Sequence, residues 1–122
     1  MSMAIRKKSE DLLLVHITGI LKDSDQEEYE RIGRLEIDRS RKIKILVNAT
    51  GFSGWGKDCD WSSRKFMYEY DAYIEKIAVV ADEKWKEQML IYLRAESRQA
   101  PVAFFPPSQA QDARDWLQIE NA

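Results

Sequence analysis

Two short apolar runs open the chain, "AIRKK" and "LLLVHITG", separated by the polar turn Ser9-Glu10-Asp11. Both have the texture of strands, so the spacing predicts a β-hairpin. The period then changes. Ser24 followed by Glu27 is a capping-box pair, and it predicts a helix carrying Tyr29, Ile32 and Leu35, as far as about the cluster Asp38-Arg39-Ser40-Arg41. "KIKILVNA" loses its polar alternation by Leu46-Val47, as a strand covered on both faces does.

Residues 48–61, "NATGFSGWGKDCDW", change texture from strand to helix. Their glycines predict a tight strand-to-helix turn with positive backbone φ. Beyond it, Cys59, Ser62, Ser63, Phe66, Met67 and Tyr70 fall on one helical face. "IAVVA", residues 77–81, is unbroken and apolar, the mark of a central strand. Asp82 then caps a third helix with Trp85, Met89, Tyr92 and Leu93 as its inward stripe. "VAFF" is a last strand. Pro107 and Ser108, with Gln111 three residues past the serine, open a final helix ending near "DWL".

The order β-β-α-β-α-β-α-β-α predicts an α/β fold: a mixed, mostly parallel five-stranded sheet with about four helices and right-handed crossovers. At 122 residues, 1–122 is read as a single domain. Ligands of such sheets gather beyond the carboxyl ends of the strands. Two loops lie there, the one after residues 43–49 and "ADEK" after 77–81, and they are expected to be neighbours.

Composition narrows the partners. A formal net charge of −2, with acids and bases interspersed, leaves no basic stripe for nucleic acid. The run Leu12–Val15 is too short for a membrane span or a signal-peptide core. One cysteine, Cys59, fits a reducing cytosol, and the expected location is cytoplasmic.

Candidate chemistries are mostly excluded. "GFSGWG" approaches the nucleophile elbow G-x-S-x-G, but Trp55 replaces its last glycine and the lone His16 precedes it in the chain. Asp58 after Lys57 breaks a phosphate-binding P-loop, and the glycine order is not that of a dinucleotide fingerprint. His16 reads as a half-buried sheet residue and Cys59 as a small core residue. No cofactor and no metal site are expected from one histidine, one cysteine and scattered acids. Lys57, beside a helix start, could present charge to an anion, but an enzyme using Ser53, Lys57 or Asp58 is not required by anything in the sequence. Trp55 and Trp61 are either a lid over the core or a binding surface. Leu90 and Ile91 widen the apolar area of the third helix, which suggests a subunit interface or a hydrophobic cavity.

"GILKDSDQEEYERI", "ILVNATGFSGW", "IEKIAVVADEKWKEQM" and "VAFFPPSQAQDARDWL" together resemble the SpoIIAA-like family, within the STAS group of anti-sigma-factor-antagonist and sulfate-transporter domains. The resemblance spans nearly the whole chain. It implies a mixed sheet with helices, no catalytic activity, and a regulatory or protein-interaction role exercised at the start of the helix after the third strand. The phosphoacceptor signature D-S-S-G of better-known members is absent, with "SGWGKDCDW" in its region, so a phosphorylation switch at Ser53 is not carried over. The family is also similar in fold to CRAL-TRIO lipid carriers, which implies a second reading as a carrier or sensor of a lipid or other apolar ligand, with Trp55, Trp61, Phe66, Trp85 and Met89 around it. Expected partners are a second copy of the chain (a dimer first), another protein, or an apolar small molecule. The candidate binding residues are Ser53, Gly54, Trp55, Lys57, Trp61, Asp82 and Trp85.

Overall fold

The computed structural model describes residues 3–9, 11–37, 42–56 and 69–119. Strands β1 (Met3–Ser9) and β2 (Leu12–Leu21) form the expected antiparallel hairpin. Helix α1 (Asp23–Glu36) leads to β3 (Ile43–Trp55), then β4 (Ile74–Ala81), helix α2 (Lys86–Tyr92), β5 (Val102–Phe105) and helix α3 (Ala110–Leu117). Short 3-10 turns, Asp71–Tyr73, Glu83–Trp85 and Pro107–Gln109, precede β4, α2 and α3. The five strands lie in sequence order, β1-β2-β3-β4-β5, and every pair after the hairpin is parallel. The expected mixed, mostly parallel sheet is therefore present. Three α-helices are seen among the described residues; the helix expected after residue 59 lies outside them, apart from helical residues 69–70.

Alternate side chains of each strand go to opposite faces, so the sheet builds two cores. On one face Val15, Ile17, Ile45, Val47 and Ile77 meet Tyr29 of α1 and Met89, Tyr92 and Leu93 on and just after α2. On the other, Leu12, Leu46, Ala78 and Val80 meet Ala113 and Leu117 of α3. Burial on both faces explains why β3 and β4 read as unbroken apolar runs. Two lysines fasten α3 at its C-terminus, where helix carbonyls lack partners. Lys76 Nζ donates to the Trp116 carbonyl at 3.0 Å and lies over that indole, and Lys44 Nζ reaches the Gln118 carbonyl at 3.5 Å.

Several local expectations are corrected. The N-cap of α1 is Lys22, and the closing contact is the Lys22 amide donating to Asp25 Oδ2 at 2.9 Å, not a Ser24–Glu27 box. The helix ends at Glu36 with Ile37 as its C-cap. Its inward line is Asp25, Tyr29 and Gly33, spaced four apart, while Leu35 is 70% exposed. The line Tyr29, Ile32, Leu35 drifts round the helix by about 60° at each three-residue step, so Leu35 leaves the face that Tyr29 buries. His16 points to solvent because α3 covers β4 and the start of β2 but not this part of the sheet. The final helix begins at Ala110, and Gln111 Nε2 bonds Asp115 rather than Ser108. Asp25→Ala is expected to cost about 1–2 kcal/mol, read from the urea midpoint, since the carboxylate is removed and the Lys22 amide at the helix start loses its acceptor.

The largest difference concerns residues 50–55. They continue β3 instead of turning, because β2 stays beside them as far as the Leu21↔Trp55 pair. Two bulges absorb the mismatch, between His16 and Thr18 and between Gly19 and Ile20. At the first, Asn48 Oδ1 accepts from the Thr50 amide at 3.2 Å and its hydroxyl at 2.9 Å. The glycine expectation holds in part: Gly54 has φ +125°, within the strand itself.

Candidate functional site

The extension of β3 carries Ser53, Gly54 and Trp55 to the carboxyl end of the parallel sheet. β4 ends at Ala81, opposite Ala49, and Trp85 beyond it meets Phe52, Gly54 and Trp55, while Asp82 opens the turn that carries Trp85. The strand extension that stands in place of the first predicted loop meets the region after β4 through Trp55 and Trp85. Lys57 and Trp61, with Asp58, Cys59, Ser62, Ser63, Phe66 and Met67, lie outside the described residues.

Four aromatics organise this end. Phe52 is buried and meets Trp55 edge-on at a centroid distance of 4.6 Å and Trp85 at 5.0 Å. Trp55 and Trp85 are 5.9 Å apart, and Trp55 tilts against Tyr92 at 5.5 Å. Edge-to-face packing of this kind sets ring hydrogens against neighbouring π-faces and contributes beyond burial. Trp55 and Trp85 are each half-buried, so they both cover the core and present an edge. Ser53 is exposed. Asp82 acts locally. Its Oδ1 accepts from the Lys84 amide at 3.0 Å and fixes the 3-10 turn that places Trp85.

Gly54 lets the backbone pass under Trp85. A Cβ there would stand 3.4 Å from Trp85 Cη2, in a φ region that L-residues seldom adopt. Gly54→Ala is expected to lower stability by about 1–3 kcal/mol and to change near-ultraviolet circular dichroism of the indoles.

A cavity of about 290 Å³ lies between α1, α2 and the sheet. Its floor is apolar: Val15, Ile17, Ile45, Val47 and Ile77 from the strands, with Met3 and Met89. Its polar lining comes from Asp23, Gln26, Glu27 and Glu30 of α1 and from Arg94 and Arg98 beyond α2. Of the aromatics expected around an apolar ligand, Trp55 and Trp85 belong to the neighbouring cluster; Met89 does line the cavity. Tyr92 joins the two regions, since it touches Trp55, lines the cavity, and donates its hydroxyl hydrogen to Gln26 Oε1.

Electrostatics beside the cavity centre on Tyr29, Asp71 and Arg98. Burial raises the Tyr29 hydroxyl above its ordinary pKa of 10.0; the charge of Arg98 opposes that shift and Glu30 adds to it. A tyrosine held neutral in the fold stabilises it fully below the ordinary value and less as pH climbs past it. Tyr29→Phe should therefore remove part of the stability lost between neutral and strongly alkaline pH, measured by urea unfolding across that range. Asp71 and Arg98 form a buried ion pair, with Nε 3.8 Å from Oδ1 and side chains 11% and 9% exposed. Asp71 Oδ2 also accepts from the Gln99 amide at 2.6 Å. None of these three residues stands out as a site in the sequence. Arg98 sits in the irregular stretch "RAESRQAP", where no periodicity marks a side chain as buried.

Among the described residues, no three His, Cys, Asp or Glu side chains are grouped to hold a metal ion. No helix there is long and apolar enough to cross a membrane.

Residues 12–118 match the model of the SpoIIAA-like family. Among solved structures, the chain is similar to an uncharacterised protein of the DUF3478 family with a SpoIIAA-like fold from Shewanella loihica PV-4. The TM-score is 0.70 at 19% identity, with 94% of this chain and 91% of that one covered. That likeness is one of fold. No curated protein matches this chain. With the sheet order, the helices and a family match from β2 to the end of α3 in agreement, the chain belongs to the SpoIIAA-like family.

Proposed function

We propose that this chain is a non-enzymatic, cytoplasmic regulatory or protein-interaction module of STAS type, forming one domain and self-associating as a dimer. The observation that carries this reading is the carboxyl end of the sheet. There the extension of β3 sets Gly54 and Trp55 against Trp85, with an exposed Ser53 between Phe52 and Gly54 in the chain and Asp82 fixing the turn that holds Trp85. Lys57 and Trp61, the other candidates from the sequence, lie outside the described residues. Rigid aromatics of this kind lose little entropy on contact, which suits a partner surface. Ile91 on α2 is 54% exposed and Ile20 on β2 50%, apolar area that a second copy would cover.

Native mass spectrometry on gently purified protein tests the assembly. A dimer is expected, and Ile91→Glu should shift it to monomer, because a carboxylate in an apolar contact is left desolvated. A wild-type chain that stays monomeric at high micromolar concentration would remove self-association. For the contact surface, Trp55→Ala and Trp61→Ala should each abolish co-purification of a partner that the wild type retains. Equal retention by both variants would sink that assignment.

The cavity favours a second reading, a sensor or carrier for an apolar ligand. Its volume is at the small end of the range for small-molecule sites, and an apolar floor with a few polar groups is their usual composition. Through Tyr92, occupancy of the cavity would bear on Trp55. The same mass spectrum reads a retained ligand as stoichiometric added mass.

A further inference from the structure

Arg98 is the group at the cavity that the fold leaves least provided for. Its side chain is nine-tenths buried, yet neither Nε nor Nη1 donates a hydrogen bond among the described residues. Asp71 stands 3.8 Å away, close enough to balance charge but beyond hydrogen-bond reach. Asp71 Oδ2 is engaged by the Gln99 amide, while Oδ1, which faces Nε, has no hydrogen-bond partner of its own among the described residues; Nη1, on the other edge of the guanidinium, is the donor left there with no acceptor. A buried guanidinium with unfilled donors is costly, and an arrangement of that kind calls for an acceptor. Arg98 and Arg94 both line the cavity, and the charge of Arg98 reaches Tyr29 on its opposite wall.

We infer that the cavity binds an amphipathic monoanion of fatty-acid type, with its chain on the strand floor and its carboxylate on Arg98. This assignment rests on the reading of the cavity as a ligand site and adds the chemistry of the head group. A planar carboxylate matches the fork of an arginine, and the pairing is strongest away from water. The floor of Val15, Ile17, Ile45, Val47 and Met89 offers the chain only apolar contacts. The acids in the lining do not displace this assignment. Glu30 already accepts from Gln26 Nε2 at 2.9 Å and faces Arg34 at 3.9 Å, and Glu27 is exposed to solvent. The size of the cavity restricts the chain to medium length.

The test is calorimetric titration of the full chain with decanoate and with decanol, both below their micelle or solubility limits. Three proteins are compared: wild type, Arg98→Lys, and the double variant Asp71→Asn with Arg98→Met. The double variant removes both charges, so no buried carboxylate is left alone and folding is preserved. Arg98→Lys keeps the charge beside Asp71 and removes the planar fork. Decanoate is expected to bind the wild type at least tenfold more tightly than decanol. That preference should fall several-fold in Arg98→Lys and vanish in the double variant, with decanol binding unchanged. Decanol and decanoate binding alike in all three proteins would overturn the head-group assignment while leaving a ligand cavity. Binding of neither would overturn both.

Discussion

Replacing Asp71 with alanine is expected to lower the unfolding free energy by about 3–5 kcal/mol, because it strands a buried guanidinium. Asp71 is the carboxylate that balances Arg98, and Arg98 has too little exposure to recover its hydration. The same substitution removes the acceptor of the Gln99 amide, so a backbone donor before β5 is orphaned as well. The pair itself need not be stabilising. Two desolvated charges at 3.8 Å offset their dehydration only in part, and for that reason Arg98→Met added to Asp71→Ala should restore much of the loss. Urea unfolding of the two single variants and the double closes the cycle. A loss below about 1 kcal/mol for Asp71→Ala would show that the pair behaves as a solvated surface contact.

Phe52→Ala should cost a comparable amount, about 3–5 kcal/mol, the usual range for deleting a buried aromatic. Phe52 holds both Trp55 and Trp85 edge-on, and its removal leaves a void that two large rings cannot fill without leaving their positions. The loss should therefore be accompanied by a red shift of tryptophan emission in the folded state, as the indoles gain water. A smaller substitution effect with unshifted emission would mean that Trp55 and Trp85 are held by each other and by Tyr92 instead. Phe52→Leu separates volume from ring geometry. It should recover much of the stability and little of the spectral signature.

Strand and helix types are legible in the sequence because burial imposes a period on it. β4 is apolar throughout since both faces are covered, and α2 shows the Met89 and Tyr92 stripe since one face is. The start of α1 is misread for a local reason: two acids and a serine near residue 24 each make an acceptable helix opening, and the Lys22 amide bonds Asp25. The three-residue spacing of Tyr29, Ile32 and Leu35 drifts off one face, and Leu35 lies outside the core.

Residues 50–55 mark a different limit. Glycines at 51 and 54 signal a turn when read by themselves, since isolated strands avoid them. A neighbouring strand long enough to pair with them turns the same residues into a bulged extension of β3, and the local preference is overridden by the ladder. The candidate site shares this division. Trp55, Asp82 and Trp85 are candidates by their positions at strand ends, and a hydrophobic cavity with Met89 in its lining is among the expectations, whereas the part played by Arg98 is not legible.

Hydrophobic period and chain direction are enough to set the order of elements, the parallel sheet and the end of it where aromatics collect. How far β3 runs, which face of α1 is buried, and the conversion of a loop arginine into a buried charge beside Asp71 all came from packing. Each of those outcomes depends on what residues distant in the chain place alongside, and no pattern of neighbours in sequence encodes it.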